Sequence, residues 1–77
     1  MAVLAYILIN SIATKSASVV KEALNIDGVK AAHRVTGRYD VIAVVEKDNL
    51  DEILGKALDE IQAIEGVVGT MTCLAIE

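Results

Sequence analysis

The sequence predicts one α+β domain over residues 1–77, with the element order βαββαβ: a four-stranded antiparallel sheet carrying two helices on one face. Three observations predict it. Short apolar runs rich in Val and Ile alternate with stretches whose apolar positions follow a 3.6-residue period. Gly-containing turns punctuate these segments. Finally, Ile26-Asp27-Gly28-Val29 recurs as Ile64-Glu65-Gly66-Val67, an offset of 38 residues that also lays Val3 on Val41, Ala5 on Ala43 and Glu22 on Glu60. Each half therefore reads strand, helix, Gly-Val turn, strand.

The elements follow in order. Val3 to Ile9 is a continuous apolar run, a strand by its length and β-branched content. Thr14 or Ser16 is placed to cap a helix whose apolar positions are Val19, Val20, Ala23 and Leu24. Asp27-Gly28 supplies the turn that ends it. Val29 to Thr36 reads as a second strand, Gly37-Arg38 as a tight hairpin connection, and Tyr39 to Glu46 as a third strand. Asp48 is the expected cap of the second helix, with Asp51 and Glu52 in its first turn, where the helix dipole favours negative charge. Leu50, Ile53, Leu54, Ala57, Leu58 and Ile61 form its apolar stripe. Gly66 ends the unit and Val67 to Ile76 is the last strand. This is the ferredoxin-like split arrangement.

With 77 residues the core is thin, and a domain of this size commonly needs a staple. Cys73 is the only cysteine, so no disulfide forms within one chain, and Cys73 with the lone His33 makes no metal cage. The remaining staple is a partner. Apolar residues make up 55 % of the chain and the mean hydropathy is +0.54, high for a monomer in water. The strands carry the same message. If one sheet face met water, polar residues would alternate with apolar ones. Instead Ile42 to Val45 are apolar in both parities, as are Val3 to Leu8 apart from Tyr6. The cheapest cover for a helix-free apolar face is a second copy of the same sheet in a two-fold dimer. Several hundred Å² buried at about 25 cal/mol/Å² is on the order of ten kcal/mol before association costs.

The net charge of −4 opposes phosphate backbones, and with aromatic content at 3 % there is no stacking platform for single strands. Direct nucleic-acid binding is not expected. The apolar start is too short to span a membrane and lacks the basic flank of a signal peptide, so the expected location is the cytoplasm, with no membrane partner.

Three spots carry possible chemistry. In Thr36-Gly37-Arg38-Tyr39-Asp40, Gly37 permits positive φ and leaves backbone amides uncovered for a carboxylate, while Asp40 can accept from an ammonium group. The plain alternative is a hairpin whose Asp40 bonds its own turn. Thr70 and Thr72 share one face of the last strand; they complete a polar pocket or satisfy cross-strand neighbours. Lys30, His33, Arg34 and Arg38 form the basic cluster: His33 as a general base or Arg34 as an anion clamp, against a solvated strand end. Cys73 reads as a small core residue. No catalytic constellation, dinucleotide fingerprint or cofactor motif is present, and no enzyme activity is expected.

Gly28-Val29, Val35-Thr36-Gly37-Arg38-Tyr39-Asp40, Leu50, and Ile64-Glu65-Gly66-Val67 followed by Thr70 and Thr72 together resemble the effector-binding (RAM) domain of the leucine-responsive/AsnC regulators, across essentially the whole chain. Full-length members of that family carry an N-terminal helix-turn-helix; this sequence resembles the stand-alone form without one. The resemblance implies pairing through the sheets into a dimeric α/β barrel, further assembly of dimers, and a small amino-acid effector at the contacts between dimers. It implies Gly37, Tyr39 and Asp40 on one side of that pocket, with Arg38 at the variable hairpin position, and Thr70 and Thr72 on the other. A full-length family regulator is a further implied partner. Two other readings share the fold. A small monooxygenase-like barrel enzyme would have only His33, Tyr6 and Tyr39 to work with. An ACT-like domain would bind at Asn10-Ser11-Ile12-Ala13, which lacks the expected glycine. A structural oligomer without ligand also fits.

Overall fold

The computed structural model describes residues 2–77. Strand β1 is Val3–Ser11, followed by a 3₁₀ turn, Ala13–Lys15, and helix α1, Ser16–Leu24. β2 is Val29–Arg34 and β3 is Val41–Lys47. A π-helical stretch, Glu52–Ala57, runs directly into α2, Leu58–Gln62, and β4 is Val67–Leu74. The four strands form one antiparallel sheet in the order β2-β3-β1-β4. The expected fold is the observed one: a ferredoxin-like α+β unit.

The core lies between the sheet and the helices. Ala5, Ile7 and Ile9 of β1 and Val41, Ala43 and Val45 of β3 are fully buried against Val19 and Ala23 of α1 and Ile53, Ala57 and Ile61 of the second helix. The strand residues recur every second position, as one face of a pleated strand requires. The two halves of the chain also match in backbone detail. Gly28 and Gly66, equivalent under the 38-residue offset, both take positive φ, 95° and 101°. Each lets the chain reverse after its helix, a turn that a side chain would oppose.

Strand ends and helix caps differ from the sequence expectation: β1 runs on to Ser11 rather than Ile9, and β4 ends at Leu74 rather than Ile76. Strand β2 stops at Arg34 and β3 starts at Val41, so the expected two-residue hairpin is a longer loop that includes Tyr39 and Asp40. Neither Thr14 nor Ser16 caps α1: Ile12 precedes the 3₁₀ turn without a side-chain cap, and Ser16 Oγ donates to the Ala13 carbonyl at 3.5 Å from within the helix. At the second helix the cap is Asn49 rather than Asp48, its Oδ1 accepting the Glu52 N–H at 3.0 Å.

The other sheet face has no helix on it. Register places Leu8 between Ile42 and Met71, and Tyr6 between Val44 and Cys73, with His33 beside Ile42 and Ala31 beside Val44. Tyr6 is 41 % exposed and Met71 50 %; Leu4, Leu8, Ile42 and Val44 are half-buried. Cys73 is exposed on this face and is not a core residue of the single chain. No helix among the described residues is long and apolar enough to cross a membrane.

Candidate functional site

The candidate residues gather at the end of the sheet where β1 finishes, β3 begins and β4 begins. Gly37 turns the β2–β3 loop with φ 113°, and nothing lies within 4 Å of where its Cβ would stand. Backbone conformation, not space, selects glycine there. Arg38 is exposed at the tip. Tyr39 reaches back across the sheet end, its hydroxyl 3.5 Å from Met71 Sδ on β4.

Asp40 is the fixed point. Its N–H donates to the Ile9 carbonyl, its own carbonyl accepts the Val35 N–H, and its Oδ2 accepts the Ser11 N–H, each at 2.9 Å. The carboxylate therefore does not close its own turn. It is tied to the end of β1, where the pairing with β3 has stopped at Ile9 and the Ser11 N–H lies beyond that ladder. The Ser11 hydroxyl beside it is buried and makes no hydrogen bond among the described residues.

Thr70 and Thr72 stand opposite Ile9 and Ile7, on the helix side of β4. Thr70 Oγ1 accepts from Gln62 Nε2 of α2 at 3.0 Å, so its partner is a helix side chain and not a cross-strand hydroxyl. Thr70 lines a small cleft of about 180 Å³ with Gln62, Val67, Val68 and Gly69. Within one chain the loop and the two threonines share an end of the sheet without closing a common cavity: Asp40 lines one cleft, Thr70 another, and β1 runs between them.

The basic cluster divides. His33 sits on the open face next to Ile42, whereas Arg34 pairs with Val41 and lies on the helix side. There Arg34 borders an open cleft of about 770 Å³ together with Ala13, Ser16, Val35, Thr36 and Asp40. The sequence reading did not connect Arg34, Ala13 and Ser16 with Asp40, nor Gln62 with Thr70. Their separations in the chain follow no local period, so no sequence signal joins them. The ion pairs lie elsewhere. Lys47 Nζ is 2.7 Å from Asp27, which holds the Asp27 carboxyl below its ordinary range and raises the Lys47 ammonium. Lys15 and Glu65 stand 3.8 Å apart in solvent.

Residues 4–77 match the family model of the Lrp/AsnC ligand-binding domain. The chain belongs to the Lrp/AsnC family. Among its curated relatives are the HTH-type transcriptional regulator LysM of Saccharolobus solfataricus, 36 % identical over 73 % of this chain and 39 % of LysM, and the HTH-type transcriptional regulator FL11 of Pyrococcus furiosus, 32 % identical over 97 % of this chain and 49 % of FL11. The Lrp/AsnC domain described here thus spans at most about half the length of those relatives. The crystal structure of TTHA0845 from Thermus thermophilus superposes with a TM-score of 0.90 at 27 % identity, covering 97 % of this chain and 94 % of that one. The family and both curated relatives are transcriptional regulators and not enzymes, which removes the barrel-enzyme reading.

Proposed function

We propose that this Lrp/AsnC domain is an amino-acid-sensing assembly module. Copies pair through the open sheet face. Dimers assemble further, and a small amino-acid effector binds at the contacts between dimers, with Gly37, Arg38, Tyr39 and Asp40 on one side of the pocket and Thr70 and Thr72 on the other. The signal passes to transcription or metabolism through a partner, a full-length family regulator being the expected one. The observation that carries this reading is the open face itself: two rows of apolar side chains, Ile42-Leu8-Met71 and Val44-Tyr6-Cys73, lie uncovered by any helix among the described residues. The Asp40 loop stands at the strand ends beside that face, with the Tyr39 hydroxyl against Met71.

The test combines light scattering with thermal unfolding for the protein alone and with each of the twenty amino acids. One amino acid is expected to raise the melting temperature and shift the mass, because a ligand bound between copies favours the state that forms its site. Asp40→Asn keeps an oxygen for the Ser11 N–H but loses the charge for an ammonium group; it should abolish the ligand shift and leave the unliganded mass unchanged. An oligomer indifferent to every amino acid sinks the sensing half of the reading. A folded monomer sinks the assembly half as well.

A further inference from the structure

We infer that Arg34 is the carboxylate-binding residue of the effector site, and that one copy holds the backbone end of a free α-amino acid between Arg34 and Asp40. The inference rests on the effector reading above and adds a residue and a polarity to it.

The cleft bordered by Arg34 and Asp40 is the observation that leads here. It lies between the start of β3, the end of β2 and the first turn of the helical layer, with Ala13, Ser16, Val35 and Thr36 completing its lining. Its volume of about 770 Å³ is ample for an amino acid. Two opposite charges border it, yet they do not neutralise each other: among the described residues the ion pairs are Lys47–Asp27 and Lys15–Glu65, and Arg34 takes part in neither. Arg34 also makes no side-chain hydrogen bond among the described residues, and it pairs with Val41 at the end of the edge strand β2. Asp40 is held by three hydrogen bonds, including the one from the Ser11 N–H to its carboxylate, so its position is set before any ligand arrives.

A zwitterion suits a cleft bordered by two unpaired opposite charges. A guanidinium presents paired N–H donors that fit both oxygens of a carboxylate, and a fixed carboxylate accepts from an ammonium group. A ligand carrying both groups bridges two side chains that the chain keeps apart. Ser16 and Thr36 lie on the same lining. The cleft is open to solvent in the single chain, and the neighbouring copy of the proposed assembly supplies the closing side.

The polarity makes the assignment testable by cutting the ligand as well as the protein. The amino acid that binds best to the wild type is compared with its α-carboxamide, on wild type, Arg34→Met and Arg34→Lys, by calorimetric titration. If Arg34 holds the carboxylate, the amide binds wild type at least about tenfold more weakly than the acid. Arg34→Met should lose a similar factor toward the acid and discriminate little between acid and amide, so the two losses do not add. Arg34→Lys should recover part of the affinity. Melting temperatures without ligand should be alike, since Arg34 is exposed and unpaired among the described residues. If Arg34→Met binds the acid as wild type does, or still prefers acid to amide by the wild-type factor, the assignment is overturned and the effector reading survives. If wild type binds no amino acid, both are overturned.

Discussion

Gly66 stands between α2 and β4 with φ 101°, and a Cβ added to it would lie 2.6 Å from Lys15 Cβ. Gly66→Ala therefore meets two obstacles, a backbone conformation that L-residues avoid and a collision with the first turn of the helical layer. A loss of roughly 1–3 kcal/mol is expected, read as a lower urea midpoint with an unchanged denaturant slope. An unchanged midpoint would mean the turn relaxes freely. The sequence marked this glycine through its repeat with Gly28, but the approach of Lys15 was invisible there. Asp40 shows the same division. Its place after Gly37 and Tyr39 identified it as a candidate, while its bond to Ser11, 29 residues away, depends on how β3 lies beside the end of β1, which no local pattern encodes.

At the scale of elements, the Asp27–Lys47 contact joins the turn after α1 to the end of β3. Lys47 is 11 % exposed and Asp27 86 %, so the aliphatic stem of the lysine packs while the pair itself meets water. Asp27 has its pKa lowered by the hydrogen bond and charge of Lys47, so its contribution to stability is present above the ordinary carboxylate range and fades as pH falls through the lowered value. Lys47 is raised, so its share is present below the ordinary lysine range and fades as pH rises through the raised value. Asp27→Asn should accordingly melt lower than wild type at pH 7, and the two curves should converge as pH falls below about 4. A difference that persists at pH 2 would assign the effect to something other than this ion pair. The second helix was legible as an element: Ile53, Ala57 and Ile61, picked out by their period, are its buried residues. Its winding was not, since Leu50 and Leu54 of the same stripe are exposed and Glu52–Ala57 is π-helical. A period fixes which residues share a face only while the residues per turn stay constant.

For the whole molecule the decisive feature is the sheet face without helices. Val44 sits between Tyr6 and Ala31 near the middle of that face. Val44→Glu places a charge there without touching the helix-side core. A charge has no partner in an apolar interface, and burying it costs several kcal/mol. The variant should sediment as a smaller species than wild type, or fail to accumulate as folded protein if the single chain is too weak to stand alone; normal circular dichroism together with wild-type mass would refute pairing through this face. Reading apolar residues in both parities of β1 and β3 was enough to predict an uncovered face. Cys73 was misplaced by the same kind of reading: it lies on that face and is exposed in the single chain, because pairing with Tyr6 fixes its side away from the helices.

The sequence by itself determined the element order, the repeat, the apolar character of both faces of β1 and β3 and the family, because these rest on local periodicity, turn chemistry and motif spacing. Only the tertiary structure decided how the sites divide: Tyr39 against Met71, Thr70 against Gln62, and Arg34 and Asp40 across one cleft beside Ser16. Those neighbours are set by strand order and register, which bring together residues tens of positions apart, and a contact of that kind leaves no trace in the spacing of either residue along the chain.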